Sequence, residues 1–254
     1  AAPPGRPPRP PVMRTASLGE LLARVAPGGA GVRAMKASYS ASYTDPAKRV
    51  SRSASGMLAM AAPGRLRMKG SAAMLPTLFD LLVSDGKASV YLPRDRAVYR
   101  GGAAGGGIAE AALLLSVFLG IEREEGDLLP FIEEEPDRYI VHFAGRPGAG
   151  PRPGARPALA RRIIFDRADL SPVRYQYFDQ AGRLSRDILC SRFGAAEGAP
   201  SPLPREVTID APQEGVRLVL RLSDLRVNPA LPAAIFSLDT PLGTAVRPIG
   251  ECLP

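Results

Sequence analysis

The chain has 254 residues, of which 45% are hydrophobic, with 27 Pro, 26 Gly and no Trp. That length can bury one substantial core, while so much Pro and Gly demands long loops or tails. The formal charge of +8 suits an anionic surface; however, the basic residues are spread singly along strands, with no zinc-finger spacing or basic recognition helix, which argues against a nucleic-acid partner.

Residues 1 to 16 open with AAPPGRPPRPPV, an extended polyproline segment that reads as a tether or disordered tail, and residues 17 to 254 read as a single domain. The first helix is well marked. Ser17 caps it, Glu20 completes a capping box, Leu18, Leu21, Leu22 and Val25 form an apolar stripe, and Pro27-Gly28-Gly29 stops it. From Met35 the period changes to two, with Met35, Ala37, Tyr39, Ala41 and Tyr43 opposed by Lys36, Ser38, Ser40 and Ser42, the pattern of a half-buried strand. Strands are then predicted at 53–61, 65–70, 87–92 and 96–100, separated by turn residues.

Between these strands lies Met74 to Leu82, MLPTLFDLL, including Met74, Leu75, Leu78 and Phe79. It reads either as a buried helix or strand or as an exposed hydrophobic loop touching lipid. The glycine run at 101–107 lacks the Gly-Lys-Ser/Thr ending of a phosphate loop and reads as backbone freedom, in its sharper form a hinge. A helical block is predicted over 108–120 and again over 127–135. Strands resume at 138–144, 161–166, 173–178, 184–193, 206–209 and 216–222. The loop GRPGAGPRPGARP (145–157) reads as a mobile hairpin extension.

Chemistry is sparse. The acidic groups at Glu122, Glu124, Glu125, Asp127 and 133–135 flank the predicted helices, where charges are solvated or complement helix dipoles. The single His142 sits on the strand face opposite Tyr139, Val141 and Phe143, with no nucleophile motif beside it. No catalytic site, metal site or cofactor is expected, and the protein does not read as an enzyme. Two cysteines cannot build a four-ligand zinc site. Cys190 and Cys252 read either as a disulfide, worth about 4 kcal/mol for a loop of about 60 residues, or as a buried strand thiol and an unrelated tail thiol. No apolar run reaches the ~18 residues of a membrane span; the longest, Ala109 to Leu119, contains Glu110.

The ending is the most specific feature. After the alternating strand Val216–Leu222, residues 225–241 read LRVNPALPAAIFSLDTP. Asn228, Pro229, Leu231, Pro232, Phe236, Leu238, Pro241 and Gly243 resemble the strand, "N-P-x-(I/L)-P" connector and "F-x-L-x-x-P-x-G" ending of the LolA and LolB superfamily of bacterial lipoprotein carriers. Gly56–Gly70 and Asp85–Gly101 are similar to that superfamily's successive hairpins. The resemblance implies an α+β, mainly antiparallel fold: a half-open curved barrel of about eleven strands with a helical cover and an N-terminal helix.

It further implies a monomeric periplasmic carrier or receptor that binds the acyl chains of a lipid or lipoprotein without covalent chemistry. An outer-membrane surface is a further partner, and the Pro-rich segment a tether from an N-terminal lipidated Cys that the sequence does not contain. The expected lining is Leu58, Met60, Leu66, Met68, Met74, Leu75, Leu78 and Phe79, with Leu113, Leu114, Phe118, Phe131 and Ile132 in the cover; the Cys190–Cys252 bridge would suit an oxidising compartment. The alternatives are an envelope module of the same fold that binds a protein or peptide, and a hydrolase with an unrecognised site.

Overall fold

The computed structural model describes residues 13–26, 31–72, 75–102, 106–120, 128–145, 158–238 and 240–252. The Pro-rich segment 1–12, Met74, Glu122 to Asp127 and the loop 146–157 lie outside them. Among the described residues, fourteen strands form one sheet, in the order β14-β6-β5-β4-β3-β2-β1-β13-β12-β11-β10-β9-β8-β7. In chain order they are β1 (Ala34–Asp45), β2 (Val50–Ala61), β3 (Arg65–Ala72), β4 (Leu75–Ser84), β5 (Lys87–Leu92), β6 (Ala97–Gly102), β7 (Leu128–Glu134), β8 (Arg138–Gly145), β9 (Leu159–Asp166), β10 (Pro172–Phe178), β11 (Leu184–Ser191), β12 (Glu206–Ala211), β13 (Val216–Val227) and β14 (Ala245–Pro248). Every pairing is antiparallel except β14 with β6. The curved sheet stays open, with β14 and β7 as its edges.

Two helices accompany the sheet: α1 (Leu18–Val25) and α2 (Gly106–Leu119). The expected capping box closes α1, with the Glu20 amide donating to Ser17 Oγ at 3.3 Å and the Ser17 amide to Glu20 Oε2 at 2.8 Å. Its apolar stripe turns inward through Leu21 and Val25. By contrast α2 is apolar on nearly every side, which only an enclosed helix tolerates; Ala111, Leu114, Leu115, Phe118 and Leu119 are buried.

Residues directly opposite one another on neighbouring strands share a face, so the register fixes an inner face across the whole sheet. Met35 lies opposite Met60, Met60 opposite Leu66 and Leu66 opposite Val83. On the other side of β1, Ala41 faces Leu220, Leu220 faces Val207 and Val207 faces Cys190. These side chains and the buried residues of both helices form one core cluster. Each fully buried Leu or Met contributes about 1.5–3 kcal/mol of transfer free energy.

The structure corrects the predicted elements at three points and decides a fourth. Among the described residues the sheet has fourteen strands rather than about eleven. Of the two readings of the apolar run through Leu82, the strand is the one found: it is β4, whose inner face carries Phe79, Leu81 and Val83. Residues 128–134 form β7 rather than a helix, because pairing with β8 satisfies their backbone on one side and Pro130 is tolerated at an edge. Finally, β14 forms where the C-terminal segment runs alongside β6.

The glycine run divides between β6 and α2, with residues 103–105 outside the described set. At Gly101 a Cβ would come within 2.4 Å of the Ile249 side chain, so close packing explains that residue.

The Asn-Pro signature acquires a physical meaning here. Asn228 adopts φ 53°, a left-handed conformation that Asn enters more readily than most residues. Its Oδ1 accepts from the amides of Arg33 (2.8 Å) and Ala34 (3.1 Å), and its Nδ2 donates to the carbonyl of Gly31 (2.8 Å). One side chain thereby pins the end of β13 to the start of β1. The chain then crosses the outer face of β3, where Arg67, in a bidentate pair with Asp80, donates to the Ile235 carbonyl and Arg65 stacks over Phe236 at 4.8 Å.

Candidate functional site: a cavity beyond the end of α2

Where α2 stops, the sheet loses its helical covering. Gly120 ends the helix with φ 65°, and a Cβ there would come within 2.3 Å of the Val25 carbonyl, so glycine is required for the two helices to meet. Beyond it, the inner face of β10 and β11 is roofed by the loop 192–205. That loop is held as a narrow arch by reciprocal hydrogen bonds between Gly194 and Leu203, each 3.0 Å, and by the Val227 amide donating to Glu197 at 2.7 Å.

Between arch, helices and sheet lies a cavity of about 500 Å³. The C-terminal ends of α1 and α2 form one wall, through Val25, Phe118 and Leu119. Tyr175 and Cys190 stand on the sheet side, and Phe193, Leu203 and the prolines at 200, 202 and 204 line the arch. Gly31 and Val32, held by the Asn228 clamp, complete the lining together with Ser116, Ser171 and Ser201. Arg24 is the one charged residue among these, half-buried in the last turn of α1 and without an ion pair or hydrogen bond to any described residue.

Of the expected lining residues whose side chains are described, only Phe118 reaches this cavity. Leu58, Met60, Leu66 and Leu114 are fully buried and Met68 nearly so, packed as core with Phe79 and Leu113 against them. Leu78 falls on the outer face of β4, and Leu75 belongs to β4 by its backbone. Ile132 is on the inner face at the β7 edge, 38% exposed. Phe131 points to the opposite face, 49% exposed and stacked on His142 with ring centroids 4.7 Å apart, so it belongs to no inner cover.

The disulfide is not formed. Cys190 and Cys252 are both free thiols: Cys190 is a core side chain of β11, and Cys252 follows the turn after β14, beside β6 at the far edge of the sheet. Burial pushes the Cys190 thiol up to about 12, which makes it a poor nucleophile.

His142 is on the outer face as expected, 2.8 Å from Glu133 Oε2. No group of His, Cys, Asp and Glu among the described residues has the arrangement of a metal site, and no helix among them is long and apolar enough to cross a membrane. The sequence reading missed the arch at 192–205 and the place of Arg24 in the lining; the cluster Pro200-Ser-Pro-Leu-Pro204 was the available signal.

No family model and no curated protein matches the sequence. Solved structures do match. A DUF1329 family protein from Desulfovibrio piger superposes with a TM-score of 0.62 at 18% identity, covering 86% of this chain and 95% of that one. A LolA superfamily protein from Nitrosomonas europaea gives 0.58 at 13% identity, with 86% and 95% covered. A protein described as an outer membrane lipoprotein-sorting protein domain, from Vibrio parahaemolyticus, gives 0.58 at 16% identity, with 81% and 89% covered. The chain therefore has a LolA/LolB-like fold.

Proposed function

We propose that the protein is a lipid carrier or receptor of the bacterial envelope, holding acyl chains non-covalently in the cavity beyond α2. The observation that carries this reading is a space of about 500 Å³, lined mainly by apolar groups and bounded by helix ends, sheet and arch, within the range of roughly 300–1,000 Å³ typical of small-molecule sites. The LolA superfamily likeness supports the same reading and a periplasmic setting. Burial of the chain drives binding at about 25 cal/mol per Å² removed from water, so no cofactor and no covalent step is needed. Phe118, Phe193 and Leu203 are the apolar contacts, and the N-terminal Pro-rich segment is the tether.

The test is saturable binding of a fluorescent fatty acid to the delipidated protein, together with native mass spectrometry after mild purification. Phe193 is half-buried on the cavity wall, so Phe193→Trp fills space without opening a void and should lower uptake at least several-fold while the protein stays folded. A folded sample that binds no apolar probe removes the carrier reading.

A second reading is favoured by one observation. The edge strand β7 exposes Leu129 (44%), Phe131 and Ile132 beside an unpaired backbone edge, a geometry that accepts an added strand from a protein or peptide. Co-purification of a protein instead of a lipid would select it.

A further inference from the structure

We infer that the cavity is built for a single-chain amphiphile with an anionic head group, and that Arg24 is the residue that selects the head. The inference rests on the carrier reading and narrows its ligand. Two properties of the cavity lead to it, its volume and the charge in its lining.

A methylene occupies about as much room as a water molecule, roughly 30 Å³, so the cavity holds one chain of roughly sixteen carbons. The cavity's boundaries are well braced: Gly120 lets α1 and α2 touch, Asn228 fixes the Gly31 side, and the Gly194–Leu203 bonds fix the arch. Diacyl and triacyl ligands require these boundaries to part, whereas one chain does not.

Among the described residues the lining carries a single formal charge, on Arg24. Other arginines of this protein are neutralised: Arg67 by Asp80, Arg174 by Asp187, Arg186 by Glu214 and Arg221 by Glu206. Arg24 feels the Glu20 carboxylate one turn back on α1 but makes no hydrogen-bonded ion pair with any described residue, and a guanidinium half out of water gains from a carboxylate or phosphate that accepts two parallel hydrogen bonds. Its position in the last turn of α1 also complements the helix carbonyls; that structural role is indifferent to the ligand's head group, which makes the two roles separable.

The experiment uses the full, delipidated chain and displacement of a bound fluorescent fatty acid, each competitor kept below its micelle concentration. The competitors are palmitate, hexadecanol, palmitoyl lysophosphatidylglycerol and dipalmitoyl phosphatidylglycerol. Palmitate should bind one-to-one and at least tenfold more tightly than hexadecanol, and the diacyl lipid at least tenfold more weakly than the lysolipid. Palmitate against lysolipid distinguishes a free carboxylate from a phosphate head.

Arg24→Gln should abolish the preference for palmitate while leaving hexadecanol affinity unchanged, and Arg24→Lys should keep most of it. Equal affinity for palmitate and hexadecanol in the unaltered chain, or a preference that survives Arg24→Gln, overturns the role of Arg24 and leaves the carrier reading standing. Equal affinity for the diacyl lipid overturns the single-chain limit. If no competitor displaces the probe and no probe binds, the carrier reading itself falls. Should Arg24→Gln fail to fold, the competitor series on the unaltered chain still decides.

Discussion

The inner face of the sheet is apolar over most of its extent, with Arg161 and Arg186 on it opposite Tyr177, yet its two halves do different things. In the half built on β1, β2 and β3, Met35, Leu58, Met60 and Leu66 are completely buried and belong to the core cluster. In the half built on β10 and β11, Tyr175 and Cys190 line a cavity of about 500 Å³. The composition of the two strand sets does not account for the difference; the covering does. The apolar α2 adds Leu114, Leu115 and Phe118 to the core over one half, whereas it has ended at Gly120 before the other, where a proline-rich arch sets Leu203 and Phe193 against the core and leaves the cavity beside them.

A pair of leucine truncations tests that contrast most strongly. Leu58→Ala removes a fully buried side chain from a filled region and should cost about 3 kcal/mol, within the usual range of about 2–5, or about 6–12 °C in melting temperature for a chain of this size. Leu203→Ala merges the lost volume with an existing space, so only the transfer contribution disappears and the loss should fall at the low end of that range. Urea midpoints read both. Equal losses would mean that the arch is packed as tightly as the core, and the contrast between the halves would fail.

The clamp between the end of β13 and the start of β1 is Asn228, and its removal should be the next largest effect. Asn228→Ala loses three side-chain hydrogen bonds, each worth about 0.5–1.5 kcal/mol net, and places a residue with an unfavourable left-handed conformation at φ 53°. A loss of about 2–4 kcal/mol is expected. Asn228→Gly should recover the backbone part alone. Because Gly31 and Val32 line the cavity from the clamped segment, probe dissociation should quicken in both variants; unchanged dissociation would show that the clamp serves the sheet and not the cavity.

These residues also mark how far the sequence could be read. The alternation in β1 and β13, the capping box of α1 and the Asn-Pro ending each record a local constraint, so the sheet and its relatives were recognisable from them. The run in β4 has apolar residues at Leu81, Leu82 and Val83 and so shows no clear period. In β7, Leu128 with Leu129 and Phe131 with Ile132 put apolar groups on both faces, because an edge strand is covered on neither side as a central one is. Four-residue β14 exists only because β6 offers it an edge. The cavity is assembled from pieces near residues 25, 32, 118, 172, 192 and 202, and no local pattern reports such a juxtaposition. Apolar strand positions told which face is inner, and could not tell whether the space above it is filled.

A smaller effect of opposite sign is expected inside the filled half. Tyr39 is buried and its hydroxyl has no hydrogen-bonding partner among the described residues; burial raises its pKa above the ordinary value, with Asp80 adding to the rise. A buried hydroxyl left unsatisfied costs about 1–3 kcal/mol, so Tyr39→Phe should stabilise the protein by about 1 kcal/mol. Thermal unfolding checks this. A loss of stability would reveal a partner for the hydroxyl, and weaker probe binding at raised stability would show that a ligand reaches into the filled half after all.

The smallest effect concerns the hairpin that closes the cavity-bearing half, and it appears as pH dependence. Between β10 and β11 the Asp179 carboxylate accepts from the amides of Arg183 and Ala181, both at 2.9 Å, and from the side chains of Arg183 and Gln213. The Arg183 backbone bond contributes most, and together these donors hold its pKa at about 2, below the ordinary 3.8. A depressed carboxylate contributes stability that is fully present above the unfolded value and is lost as pH falls through the folded one. Asp179→Asn should therefore be slightly less stable than the unaltered chain at pH 7, by an amount constant down to about pH 4, and the two should converge as pH approaches about 2. Because the side chain is solvent-exposed, the difference should also shrink in high salt. A gap that persists unchanged at pH 2 would assign the effect to turn geometry, since Asn reproduces the acceptor but not the charge.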